Sequence, residues 1–278
     1  MNIYEQTHHY MKKGTPVVVV SVTEKKGEGP VEIGKKMLVL KDNVAFGTVG
    51  GGALEYTARD YCQTVLENKK SESISYLLNE GSLVDDATTL DMACGGKVTL
   101  FYEYIGPSEY IYIFGAGHCG QALSNVLDTL NYHVTVIDDR LEVINQFKGG
   151  DDVIHSPFAK YIEDYGLKED SFVVVATPSH KEDYNVINKV ISKQIKLKYI
   201  GMLCSNKKLI DYLEKTYEMF GKDIDLSNFY SPIGLDTGGG SPEEIAISIA
   251  SEILAVSNGK LNHNHMRETN VKYRYWED

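Results

Sequence analysis

Gly115, Gly117 and Gly120 stand in the spacing G-x-G-x-x-G, and Asp138 follows downstream. Such a set suits a dinucleotide. The first glycine makes a tight turn, the second lets a pyrophosphate approach the backbone, and the third lets a helix pack on the sheet. The helix start that follows, with His118 inside the turn, offers unpaired N–H groups to an anion. Asp138 is placed to accept both hydroxyls of a ribose. A second glycine run, Gly50, Gly51 and Gly52, precedes Glu55. It reads either as a ligand loop, where backbone can approach a bound group, or as a tight turn followed by an acid that suits a helix start. Cys94 lies beside Gly95 and Gly96, either as an accessible thiol with N–H donors nearby or as a small buried side chain. His180 and Asp183 are spaced for acid–base work or ligand hydrogen bonding, or simply for a helix cap beside an exposed imidazole.

The elements that must position these groups follow from the apolar pattern. Tyr110–Phe114 reads as a buried strand running into the first glycine. Ala122, Leu123, Val126, Leu127 and Leu130 recur at helical spacing over a helix read as 121–130. His133–Ile137 is the next strand and ends at Asp138. Further strands at Asp152–His155, Phe172–Ala176 and Lys198–Leu203 alternate with helical patterns, which predicts a parallel sheet. A third glycine run, Gly238 to Gly240, feeds Ser241, Pro242 and Glu244, a capping-box helix start. Glu243 and Glu244 already satisfy that helix's positive end, so it is a poorer anion site than the one at Gly120.

The first part of the chain reads differently. Residues 2–13 are a short helix, and the continuous, mostly apolar run Val17–Thr23 is a central strand. Lys36–Lys41 and Val44–Val49 flank Asp42 and Asn43 as a hairpin with a two-residue turn. After Gly52 comes a helix with Leu54, Ala58, Tyr61, Val65 and Leu66 as its apolar stripe. Ser73–Leu78 is a strand, 79–92 a polar loop, and Lys97–Tyr104 an alternating, half-buried strand. Gly106, Pro107 and Ser108 mark a boundary. The expected fold is α/β: a mixed N-terminal domain over 1–106, a Rossmann-like parallel-sheet domain over 107–257, and a polar, mobile tail over 258–278.

Composition narrows the function. The 278 residues carry a formal net charge of −11, which argues against nucleic acid, and 42% of them are hydrophobic, enough for packed cores. No basic-then-apolar leader and no run of spanning length is evident, so no membrane role and a cytoplasmic location are expected. Cys62, Cys94, Cys119 and Cys204 are far apart and read as free thiols rather than a zinc site. His263 and His265 in the tail are too short a motif for a metal site.

Taken together, Gly34–Met37, Gly47–Glu55, Ala93–Gly96, Gly115–Gly120, Asp138–Arg140, Ile200–Leu203, Gly234–Asp236 and Ser241–Ile253 resemble the XdhC/CoxI family of molybdoenzyme accessory proteins, over nearly the whole chain. Ala53 stands where the CoxI branch usually has cysteine, so the chain is more similar to the XdhC branch. Two positions depart from the family. Thr177, Pro178, Ser179 and His180 replace the frequent Thr-Arg-Gly-His, which removes a basic residue, and Cys204 stands where glycine is common.

The resemblance implies a carrier rather than a catalyst. Such a protein binds the molybdenum cofactor (molybdopterin) as cargo and helps insert its sulfurated form into xanthine dehydrogenase or a related molybdenum hydroxylase. A cysteine desulfurase is a further partner, and a homodimer is usual. On that basis Gly50, Gly51, Gly52, Glu55 and Cys94 fall at a cofactor site. Gly115, Gly117, His118, Gly120, Asp138 and His180 fall at a nucleotide-type site. Two other functions fit the Rossmann pattern alone: an NAD(P)-dependent oxidoreductase using His118 or His180 as acid–base, and a nucleotide-sensing module without chemistry.

Overall fold

The computed structural model describes residues 2–27, 31–78, 88–90 and 96–260. The chain divides into two compact units, 1–108 and 109–278.

In the first unit α1 (Ile3–Lys12) is opened by a capping box, with the Asn2 side chain accepting from Glu5 N and Glu5 accepting from Asn2 N. β1 (Val17–Lys26), β2 (Lys36–Val39), β3 (Ala45–Gly47), α2 (Gly52–Asn68), β4 (Glu72–Leu78), β5 (Thr88–Leu90) and β6 (Lys97–Ile105) follow. Their sheet has the order β3-β2-β1-β6-β4-β5. β1 is central, antiparallel to β2 and β6. Its apolar run is continuous because both faces are covered. Val18, Val20 and Val22 pack with Leu54, Ala58, Cys62 and Val65 of α2. Val17 and Val19 pack with Leu38, Tyr10 and Phe46. The hairpin turn is wider than two residues, since pairing ends at Val39 with Ala45 and Leu40 N donates to Val44 O. Asn43 takes the left-handed φ of 57°. β5 corrects part of the 79–92 loop expectation: it lies parallel on β4. Three residues are too few to show a period, so their strand character comes from the partner.

The second unit runs β7 (Glu109–Phe114), α3 (His118–Leu127), β8 (Tyr132–Asp138), α4 (Leu141–Gln146), β9 (Asp152–His155), α5 (Phe158–Asp164), β10 (Ser171–Val175), α6 (His180–Ser192), β11 (Leu197–Met202), α7 (Asn206–Phe220), β12 (Phe229–Tyr230) and α8 (Pro242–Ser257). Its parallel sheet has the order β12-β11-β10-β7-β8-β9. Ile111 and Ile113 of β7 face α3 and α8, together with Leu123, Leu127, Ile249 and Ile253. Tyr112 and Phe114 face the other layer, with Phe158, Ile162, Val186, Ile187 and Tyr212. This double covering explains the fully apolar strands. β7 pairs with β8 on one side and β10 on the other, so strand order reverses at its carboxyl end, where doubly wound sheets open a crevice. α3 starts earlier than its apolar stripe predicts, and Gly120 lies in its first turn. The tail expectation, from 261 onward, lies outside the described residues.

Among the described residues no helix is long and apolar enough to cross a membrane. No group of three or more His, Cys, Asp or Glu side chains suited to a metal ion occurs among them either.

Candidate functional site

The glycine turn sits at the switch point. Gly115 has φ +121°, and a Cβ there would lie 2.2 Å from Ala176 O on the neighbouring strand's exit. A Cβ on Gly120 would lie 1.9 Å from Gly115 O. Both glycines are therefore demanded by the fold. Gly117 is extended, and a Cβ on it would meet nothing within 4 Å, so space opens in front of it. Gly117 caps α3 with no side-chain bond and no acid in the first turn. The helix's positive end is thus left to solvent or to a ligand. His118 is exposed and lines a groove with Gln121, Asn125, Pro242 and Glu243. Cys119 is half-buried, and burial together with the charge of Glu243 pushes its thiol pKa up, away from thiolate.

Asp138 is where the expected position gives way to a different role. Its side chain is fully buried, and both oxygens are engaged within the chain. Oδ2 accepts from Ala116 N at 2.8 Å and Arg140 Nη2 at 2.7 Å. Oδ1 accepts from Arg140 N at 3.0 Å and Arg140 Nε at 2.8 Å. A carboxylate has about four acceptor positions, and these bonds fill them. Burial by itself raises the carboxyl's pKa, but the bonds from Arg140 and the two backbone N–H groups outweigh it and hold Asp138 below the usual range. The sequence signal for this pairing was an acid followed two residues later by arginine at a strand exit.

On the β10 side, Asp183 is buried with 3% of its side chain exposed, and His180 is 49% exposed. Asp183 Oδ1 accepts from Thr177 N at 2.9 Å and Thr177 Oγ1 at 2.6 Å, which pins the turn that touches Gly115. Its Oδ2 lies 3.6 Å from His180 Nδ1. The cap reading is met through Ser179 and an exposed His180. Ser179 caps α6, accepting from Glu182 N, while Asp183 anchors the loop and faces the imidazole. Burial raises the Asp183 pKa more than the bonds from Thr177 and His180 lower it. A carboxyl raised in the folded state favours folding below its unfolded pKa of about 3.9 and opposes folding once pH passes its folded value. Asp183→Asn keeps acceptors for Thr177 and removes the buried charge. Its melting temperature should equal or exceed the wild type's at pH 7, with the difference shrinking toward pH 4. A variant that melts well below wild type at pH 7 would show that the charge itself holds the loop.

The N-terminal glycine run is built but occupied. Gly50, Gly51 and Gly52 have φ of +133°, +79° and +64°. Gly50 N donates to Thr48 Oγ1 at 3.1 Å and Gly51 N to Glu55 Oε2 at 3.2 Å, and Thr48 Oγ1 donates to the same carboxylate oxygen. Glu55 thus answers the start of α2 with its own negative charge, which disfavours an incoming anion. Cys94 lies outside the described residues. Cys62 is in the core, where burial pushes its thiol to about 12. Cys204 Sγ sits 3.1 Å from Ser231 Oγ. The third glycine run is closed as expected, with Gly240 N and Ser241 N both donating to Glu244 Oε2 at 2.9 Å.

A doubly wound parallel sheet with an open glycine turn at its switch point, preceded by a separate, mostly antiparallel unit, defines a protein of the Rossmann class. Residues 111–253 match the XdhC Rossmann domain, and residues 11–77 match the XdhC and CoxI family. The chain belongs to the XdhC and CoxI family. It is 26% identical over 261 residues to the Escherichia coli (strain K12) protein YqeB, covering 93% of this chain and 47% of that protein. It is 30% identical over 157 residues to a probable xanthine dehydrogenase subunit of Bacillus subtilis (strain 168), covering 56% of this chain and 45% of that protein. The chain spans about half the length of these curated relatives. A solved Bacillus halodurans structure, described as a xanthine dehydrogenase, is similar over 98% of both chains at 19% identity, with a TM-score of 0.49.

Proposed function

We propose that this chain is an accessory protein in the maturation of xanthine dehydrogenase or a related molybdenum hydroxylase, carrying the molybdenum cofactor as cargo and helping to insert its sulfurated form. Family membership and the Bacillus subtilis relative's name support the client class. The observation that carries the cargo reading is the open turn at Gly117, where a helix start with no cap of its own faces space a ligand can fill. The cofactor ends in a phosphate, and backbone N–H groups at such a turn suit it. Within the N-terminal unit, the loop at Gly50–Gly52 has two of its donors engaged by Thr48 and Glu55, so it supports the reading by shape and not by anion binding. Cys94 supplies a soft sulfur for molybdenum or a sulfido group. A cysteine desulfurase as sulfur source and a homodimeric carrier belong to the same proposal.

Anaerobic titration of the full chain with molybdenum cofactor, followed by transfer to an apo-hydroxylase, tests the reading. Binding with recovery of hydroxylase activity is expected. No binding, beside an NAD control that does bind, would move the protein to the oxidoreductase or sensor class. Cys94→Ser should lower retention of the sulfurated cofactor about tenfold, the loss of one metal–sulfur or sulfur-directed contact of roughly 1.4 kcal/mol. Unchanged retention would remove the thiol from the site.

A further inference from the structure

Asp138 and Arg140 together change what the crevice can recognise. In a dinucleotide fold the acid at the end of the second strand accepts ribose hydroxyls. Here that acid is 0% exposed, and its acceptor positions are filled by Ala116 N and three bonds from Arg140. A ribose diol would find no open acceptor on Asp138. The guanidinium lies in front of the acid, with 34% of the Arg140 side chain exposed. Of its five N–H donors, Nε and one on Nη2 go to Asp138, along the side edge of the fork. The end edge, formed by Nη1 and the second Nη2 donor, has the geometry for a bidentate bond to an oxyanion. The carboxylate behind it sets the plane of the fork and ties it, through Ala116, to the glycine turn.

We infer that Arg140 is a ligand-contacting, specificity-determining residue, and that the crevice takes a phosphate monoester where related folds take a ribose diol. The acidic neighbours Asp139 and Glu142 weaken the long-range pull of Arg140 on anions, so an oxyanion gains from direct contact with the fork. The phosphate belongs either to a nucleotide, as on the 2′ position of NADP, or to the pterin cofactor. Only the pterin source rests on the cargo reading of the protein; the nucleotide source stands without it.

The full chain is titrated calorimetrically with NAD and NADP at one ionic strength, and its retention of molybdenum cofactor is measured alongside. Arg140→Lys keeps the charge and loses the fork, and Arg140→Ala loses both. Thermal unfolding of each variant checks folding. NADP binding at least about tenfold tighter than NAD, with the ratio falling toward one in Arg140→Lys, assigns the phosphate to a nucleotide. Weak binding of both nucleotides, with cofactor retention reduced about tenfold in Arg140→Lys, assigns it to the pterin. Equal affinity for NAD and NADP with retention untouched by the substitution overturns the inference. A phosphate preference that Arg140→Lys keeps, or no binding of any of the three ligands, overturns it too. Cofactor retention that ignores Arg140 would leave the carrier reading standing without it.

Discussion

Gly115→Ala lowers the thermal unfolding midpoint by about 10 °C, and Gly120→Ala does the same, while Gly117→Ala leaves it nearly unchanged. The first two substitutions put a Cβ into fixed backbone: 2.2 Å from Ala176 O at Gly115 and 1.9 Å from Gly115 O at Gly120. At Gly115 the φ of +121° adds strain for any L side chain. At Gly115 backbone strain of about 1–3 kcal/mol and overpacking of similar size sum to roughly 3 kcal/mol or more. At Gly120 the closer clash with backbone alone is set at about 3 kcal/mol, the upper end for overpacking. For a unit of this size each kcal/mol shifts the midpoint by about 2–4 °C. Gly117 has an ordinary φ of −69° and open space, and alanine at a helix cap costs at most about 1 kcal/mol there. A Cβ at 117 nevertheless intrudes where a ligand would meet the backbone. Its expected signature is lost cofactor or nucleotide binding in a protein that melts normally. Equal melting losses for all three alanine variants would mean that the turn is purely structural.

The second large effect comes from uncovering Asp138. Arg140→Ala at pH 7 is expected to cost about 2–3 kcal/mol by urea unfolding, because it leaves a buried carboxylate with only backbone partners. The figure lies at or below the low end for buried pairs, since the Arg140 side chain is 34% exposed and water screens part of the attraction. The pH dependence identifies the cause. In the wild type the Asp138 carboxyl is held below its ordinary pKa, so its stabilising contribution is complete above about pH 4 and drains as pH falls through the folded value. Without the arginine, burial dominates and the carboxyl's pKa rises. The variant is then penalised most at neutral pH and least in acid, and its stability should converge on the wild type's toward pH 4. A pH-independent deficit would point to lost packing of the arginine stem instead.

The local signals in this chain were legible because each depends on a short stretch. Gly115 had to be glycine where a strand turns sharply into a helix, Ser241 to Glu244 spelled a helix start, and Val17–Val22 announced a strand covered on both faces. Periodicity and φ preference belong to neighbouring residues, so sequence alone determined the longer elements, the Rossmann class and the place of the turn, while the short strands β5 and β12 came from their partners. What a carboxylate bonds to is a different kind of fact. Spacing put Asp138 at a strand exit, but only the folded loop decided that Arg140 and Ala116 fill its oxygens. Spacing put Glu55 near the first glycine run and left two readings open; the local turn set it on Gly51 and Thr48, closing donors that composition left open. Tertiary structure buried Asp183 against Thr177 and placed the β10 exit beside Gly115. Acceptors are few and donors compete for them, and which donor wins depends on distances between segments that no local pattern encodes.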